Sequence, residues 1–159
     1  MNLPISPEAY TGTDNLEAMA EAKRYNQFLV GLITSRLNKT YSVVDFGAGI
    51  GTFAVAIEKS CANLVCVEPD VKQISLIMSK NLQVVSDITS IESETIDFLY
   101  SLNVLEHIEN DEAAVREVAR VLKPNAIALI YVPAKNILFS AMDYKVGHYR
   151  RYSKKSLRT

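Results

Sequence analysis

The sequence predicts an α/β fold: a doubly wound, mostly parallel sheet with helices on both faces, in three α/β/α layers. Three observations predict it. Short runs rich in β-branched and apolar residues, such as Val43-Val44-Asp45-Phe46 and Leu64-Val65-Cys66-Val67, alternate with stretches whose apolar residues recur at helical spacing. The first run passes straight into Gly47-Ala48-Gly49-Ile50-Gly51 and then into a helical pattern. The second ends in a carboxylate, Glu68, 21 residues after Gly47. A strand, a glycine turn and a helix N-terminus form a nucleotide cradle, and an acidic side chain about 20 residues further on is placed to meet a ribose.

At 159 residues and a net charge of −1, the chain suits one domain with a real core rather than a general nucleic-acid binder, although a local basic patch is compatible with it. No run approaches the roughly 18 consecutive apolar residues of a membrane span, and Met1–Tyr10 has no apolar stretch of signal-peptide length. A cytoplasmic protein is expected. Cys61 and Cys66 lack a second cysteine or histidine pair that would complete a zinc site, so no metal is expected and both read as free thiols of a reducing compartment.

Taken in order, residues 1–13 read as a flexible lead-in. Leu16, Met19, Ala20, Tyr25, Phe28, Leu29, Leu32, Ile33 and Leu37 then recur near helical spacing, with Asp14 as N-cap and Glu17 completing a capping box, so one helix or a helix pair covers 14–37. The first strand is Val43–Phe46, and Thr52–Lys59 is an amphipathic helix. A second strand, Asn63–Glu68, is followed by Pro69-Asp70, which start a helix from Val71 to Ser79. The third strand spans Leu82–Val85 and the fourth Thr95–Asn103. A helix from Asp111 to Leu122 stops at Lys123-Pro124-Asn125, and the fifth strand, Ala126–Val132, ends at Pro133.

Spacing decides which nucleotide the glycine turn suits. A dinucleotide turn reads G-x-G-x-x-G and seats a pyrophosphate on the helix N-terminus. Here Gly47, Gly49 and Gly51 give G-x-G-x-G, preceded by Asp45, a carboxylate that would repel a pyrophosphate but suits a cation. The stretch resembles motif I of the class I S-adenosylmethionine (SAM) dependent methyltransferases, whose cofactor carries an ammonium and no phosphate. Two later stretches extend the resemblance: Asp97 through Ser101 to Val104-Leu105-Glu106-His107 is similar to the strand-four motif of small-molecule methyltransferases, and Val121-Leu122-Lys123-Pro124 before an apolar strand is similar to their strand-five entry. The similarity covers residues 24–134 and weakens beyond.

The resemblance implies a Rossmann-like sheet with N-terminal helices, lacking the family's last two strands. It divides a single domain, 1–159, into lid helices (14–37), a cofactor-binding core (41–134) and an acceptor-side loop with a truncated helix (135–159). SAM is the implied cofactor and S-adenosylhomocysteine its product. Asp45, Gly47, Ala48, Gly49 and Gly51 would form the cradle, while Glu68, beside Pro69, would accept the ribose hydroxyls; the alternative for Glu68 is an ordinary charge before a helix. Asp87 would meet the adenine amino group with Ile88 against the ring, or be a plain turn carboxylate. Ser101, Leu102 and Asn103 lie at the carboxyl end of a central strand, where open α/β sheets place ligands. Tyr25 and Asn26 would belong to a lid, with aromatic core packing and a solvent-facing amide as the other reading.

Catalytic candidates are His107, His148 and Tyr149. Imidazole titrates near neutral pH and suits a general base, but the family often has histidine at position 107 whatever the acceptor, which favours positioning there. From Lys145 to Arg158 the chain carries six Lys or Arg and no acid, and Gly147-His148-Tyr149-Arg150-Arg151-Tyr152-Ser153 resembles a loop covering the acceptor pocket in one methyltransferase subgroup. Tyr149, Arg150 and Arg151 would then orient an anionic small-molecule acceptor; otherwise this is a solvated loop entering a helix capped by Ser153.

Methyl transfer to an O, N or C nucleophile is the function expected. A non-catalytic SAM- or nucleotide-binding module acting through a partner is the alternative, and an NAD(P)-dependent oxidoreductase is disfavoured by the glycine spacing. With five strands, the fifth becomes a sheet edge, so either a second chain, as in a homodimer, covers Ile127–Val132 or the sequence is part of a longer protein.

Overall fold

The computed structural model describes residues 22–157. Helix α1 (Lys23–Thr34) leads into β1 (Ser42–Phe46), α2 (Thr52–Ile57), β2 (Asn63–Val67), α3 (Val71–Ser79), β3 (Gln83–Val85), β4 (Ile96–Leu102), α4 (Asp111–Val121), β5 (Leu122–Tyr131) and α5 (Ala141–Lys145). The five strands form one sheet in the order β3-β2-β1-β4-β5, every neighbouring pair parallel. The chain builds outward from β1 to β3, then returns to place β4 on the other side of β1. This is the Rossmann-like arrangement, and its crevice opens beyond the carboxyl ends of β1 and β4.

Alternation along the central strands explains the two cores. Val43 joins Ile33 of α1, Ala54 and Ile57 of α2 and Ile77 of α3 on one face. Val44 and Phe46 join Leu99, Leu105 and, from α4, Val118 and Val121 on the other. Both faces are covered, which is why β1 is apolar almost throughout. Asp45 is the exception: it lies on the first face, side by side with Cys66 of β2 and Tyr100 of β4, and is 3% exposed.

Local chemistry sets most ends. Asp70 caps α3 by accepting from the Lys72 and Gln73 backbones at 2.8 and 3.0 Å, as the Pro-Asp pair predicts. Asn110 caps α4 through the Ala113 N–H at 3.1 Å. Arg120 on α4 donates to the Ile88 and Ile91 carbonyls at 3.1 and 2.9 Å, which fixes the turn after β3.

Two expectations need amendment. The helix expected over 14–37 is described as α1 only; Asp14, Leu16, Glu17, Met19 and Ala20 lie outside the described residues. The fifth strand begins at Leu122 rather than Ala126, because Leu122 already pairs with Ile96. Before the next pair, Phe98 with Ile127, the register is irregular, with Asn125 in a left-handed conformation at φ 65°. Proline and asparagine therefore mark a bulge and not a boundary.

Cys61 and Cys66 are free thiols. Cys66 is fully buried, and burial pushes its thiol up to about 12. Among the described residues no helix is long and apolar enough to cross a membrane. β5 closes one side of the sheet, and Ile127 on it is 41% exposed.

Candidate functional site

A cavity of about 810 Å³ opens at the carboxyl ends of the strands. Its size lies within the range of roughly 300–1,000 Å³ that takes drug-sized ligands. Its floor is the turn after β1. Gly47, Gly49 and Gly51 all have positive φ, of 79°, 55° and 76°, so the turn reverses within a few residues. Its backbone amides point inward: Gly47 and Ala48 both donate to the Val67 carbonyl, at 2.9 and 3.1 Å, and Gly51 donates to Ala48 at 2.8 Å.

Glu68 completes the turn. Its Oε2 accepts from the Gly49 N–H at 2.8 Å and its Oε1 from the Asp70 N–H at 3.0 Å, and the side chain is 6% exposed. Burial raises its pKa, and the two amides oppose that rise. A carboxylate has about four acceptor positions, and these amides occupy two of them. Beneath the turn, burial pushes Asp45 up to about 7, with the neighbouring Tyr100 hydroxyl opposing. Asp45 Oδ2 is buried with no hydrogen-bond partner among the described residues.

Further along one wall, Pro69, Asp87 and Ile88 line the cavity. Asp87 Oδ1 accepts from the Thr89 N–H at 2.7 Å, and the Thr89 backbone, then its side chain, hold the carboxyl below its usual range. Across the mouth, Leu102 and Asn103 end β4. Asn103 adopts φ 55°, donates its backbone N–H to the Tyr131 carbonyl at 2.7 Å, and gives its Nδ2 to the Tyr25 hydroxyl at 3.1 Å. Tyr25 also meets Tyr131 edge-on, ring centres 6.3 Å apart. Helix α1 is thereby pinned over the ends of β4 and β5, with Tyr25 and Asn26 facing the cavity. A Tyr25→Phe variant is expected to lose about 1 kcal/mol of stability and to speed hydrogen exchange of the α1 amides. Unchanged protection of α1 would refute the pin.

The far end of the cavity is lined by Glu106, His107 and Ile108 after β4, and by Pro133, Val146 and His148 after β5. Glu106 is 1% exposed, and burial pushes it up to about 7. His107 is held below its ordinary value, first by burial and then by His148. The two imidazoles meet edge-on at 4.6 Å. What fixes His148 is Asp143, on α5. Asp143 takes a two-pronged ion pair from Arg151, Nε to Oδ1 at 2.8 Å and Nη2 to Oδ2 at 2.9 Å. It also accepts from the Ser140 backbone at 2.8 Å and from His148 Nδ1 at 2.9 Å. Arg151 above all holds Asp143 well below the usual carboxylate range.

The structure thus gathers fourteen of the expected residues around one cavity and leaves five outside. Gly51 serves as the left-handed N-cap of α2 instead, where an added Cβ would press on Ile77 and Leu82 at 3.4 Å. Ser101 points into the core and is 1% exposed. Arg151 is committed to Asp143, and Arg150 to Asp111, whose other oxygen accepts from the Tyr152 hydroxyl at 2.7 Å. Tyr149 is 55% exposed; its backbone donates to the Glu106 carbonyl at 2.7 Å while its ring lies 5.9 Å from the Arg150 guanidinium. Tyr149, Arg150 and Arg151, expected to orient an anionic acceptor, therefore lie outside the cavity lining, with both guanidiniums paired to carboxylates of the chain. Glu106 is the residue that sequence reasoning passed over. The signal was present in Leu-Glu-His directly after a central strand, but a glutamate in a short turn reads as solvated.

Fold and cavity define a Rossmann-like α/β domain with an open crevice at the carboxyl ends of its strands. A methyltransferase domain family matches residues 44–130, more than half of the chain, and the chain belongs to that family. No curated protein matches it in sequence. Among solved structures it is similar to the YcgJ protein of Bacillus subtilis, with a TM-score of 0.70 and 21% identity over 81% of this chain and 64% of that one. It is also similar to a chain in the complex of the Haloferax volcanii Trm112 methyltransferase activator with a methyltransferase, with a TM-score of 0.75 and 15% identity over 92% and 70%. A coclaurine N-methyltransferase bound to N-methylheliamine and SAH matches with a TM-score of 0.60 and 23% identity over 69% of this chain and 37% of that one. The chain therefore spans less than two thirds of the length of the Bacillus protein and little over a third of the coclaurine enzyme.

Proposed function

We propose that the domain binds SAM in this cavity and serves methyl transfer to an O, N or C nucleophile of a small-molecule acceptor. The observation that carries the reading is the inward-turned glycine loop clamped by Glu68. With the Gly47, Ala48, Gly49 and Gly51 amides all satisfied inside the protein, the loop offers no row of N–H donors to a pyrophosphate. It offers carboxylates instead: Glu68 for ribose hydroxyls, Asp87 for an adenine amino group with Ile88 beside the ring, and Asp45 for an ammonium. The unpartnered Oδ2 of Asp45 fits that cation.

The cofactor supplies a methyl group already activated by a sulfonium charge. The chain need mainly hold the acceptor in line and keep water out, which are positioning effects. Tyr25 and Asn26 would close the cofactor end. Glu106, His107 and His148 would face the acceptor, with either imidazole placed to take a proton. A partner covering β5 and a cytoplasmic setting also belong to this reading, supported by the exposed Ile127 and the two free thiols.

Calorimetric titration with SAM and S-adenosylhomocysteine tests the assignment. Glu68→Ala is expected to weaken binding by about 1.5–3 kcal/mol, the scale of hydrogen bonds to a charged group. Binding unaffected by the substitution would remove the ribose contact, and no binding by the folded chain would overturn the cofactor assignment. Tight binding without turnover over a broad set of acceptors would favour a cofactor-binding module.

A further inference from the structure

We propose that Glu106, His107 and His148 form a three-ligand site for one divalent transition-metal ion of the zinc, cobalt or iron kind, open toward the cavity. One Glu106 oxygen and one nitrogen from each ring lie within 4.8 Å of one another. Two imidazoles and one carboxylate, with room left for a further ligand, are a donor set typical of late first-row ions; magnesium and calcium favour oxygen ligands throughout.

The surroundings match this chemistry at each ligand. Glu106 is 1% exposed and lines the cavity, and among the described residues neither of its oxygens has a hydrogen-bond partner. A buried carboxyl without partners is costly and calls for a cation or a donor. His148 has the support usual for a ligating imidazole: its Nδ1 hydrogen-bonds Asp143 at 2.9 Å. Because Arg151 and Ser140 already donate to that carboxylate, Asp143 is the acceptor and Nδ1 carries the proton. Nε2 is then the nitrogen with a free lone pair. The His107 ring lies beside Gly147, where an added Cβ would come within 3.9 Å of its Nδ1.

A tetrahedral ion with bonds of about 2.0–2.2 Å holds its ligands roughly 3.4 Å apart. Binding such an ion needs these atoms, now within 4.8 Å of one another, to close by up to about 1.4 Å. The arrangement also accounts for the Arg151–Asp143 pair, which presents no charge to the cavity but sets the tautomer and angle of His148. This inference deepens the methyl-transfer reading and, for its substrate class, rests on it. An acceptor hydroxyl bound to the ion would give its proton to solvent and attack as an oxyanion; the methyl would pass from sulfonium sulfur to that oxygen, and the neutral thioether would leave.

The test uses tag-free, chelator-treated protein titrated with cobalt chloride, followed by visible absorption and displacement with zinc. One equivalent of bound Co²⁺ with a low-symmetry visible band is expected for the wild type. Glu106→Gln and His148→Ala should each weaken binding by more than the roughly 10–100-fold typical of losing a supporting partner. His107→Ala, at an exposed position, repeats the test where folding is not at risk. Absence of Co²⁺ binding, or variants that bind like the wild type, overturns the site. SAM titration of the same metal-free sample separates the two readings: SAM binding without Co²⁺ binding leaves the methyltransferase reading and removes this one, and the converse removes only the former.

Discussion

Gly47→Ala is expected to cost about 2–5 kcal/mol of stability. Gly47 sits at φ 79°, where an L side chain is strained by about 1–2 kcal/mol. An added Cβ would also lie within 2.6 Å of Val104 Cγ1 and 3.0 Å of its Cβ, and closer still to Cγ2. Valine is stiff about χ1, so the clash cannot be relieved by rotation and adds a further overpacking cost of about 1–3 kcal/mol. Against a total stability of about 5–15 kcal/mol this is a large share. Urea unfolding curves measure it as a lowered midpoint at constant slope. Adding Val104→Ala should recover the steric part and leave the backbone part. A Gly47→Ala protein within about 1 kcal/mol of wild type would show that the turn relaxes in solution.

Asp45→Asn is expected to do the opposite above neutrality. Burial raises the Asp45 carboxyl to about 7 in the folded chain. Unfolded, it titrates near 3.9. Between these values the native state keeps a proton that the unfolded state has released, so stability falls as pH rises, by about 1.4 kcal/mol per pH unit. The penalty is absent below about pH 4 and complete above about pH 7, where it reaches roughly 4 kcal/mol. Asparagine has nothing to titrate. The variant should match wild type at pH of about 4, exceed it by several kcal/mol at pH of about 8, and retain only the similar slope contributed by Glu106. Equal slopes in the two proteins would contradict the assignment. In the wild type, a bound ammonium would favour the anion, so SAM binding below about pH 7 should release a proton, visible as a buffer-dependent heat.

Much of this was legible in the chain. The strands β1 to β4, helices α3 and α4, and the Asp70 cap follow from apolar periodicity and capping chemistry, which are local. The cavity residues on β1 and β2 follow from glycine spacing and a carboxylate at a fixed distance. Three things were hidden, each for a reason. Pro124 and Asn125 carry the signature of a break, yet strand pairing runs through them because β4 supplies the partner. Arg150 and Arg151 read as a basic patch, since their counter-charges at Asp111 and Asp143 are met only on folding. Glu106 looks solvated in sequence and is buried, because Tyr149 and the segment around it lie across the turn.

The strand order also sets how this chain can fold. No two strands that follow each other in sequence form a hairpin, and the central pairing of Val43 with Phe98 joins residues 55 positions apart. Each such closure pays chain entropy before any contact repays it, although the cost grows only slowly with loop length. Assembly should therefore be slow for a small domain, nearer milliseconds to seconds than microseconds. The crevice between β1 and β4, where the candidate site lies, depends on the most distant of these encounters, so an early intermediate holding only β1 to β3 would have the glycine turn and Glu68 but no cavity.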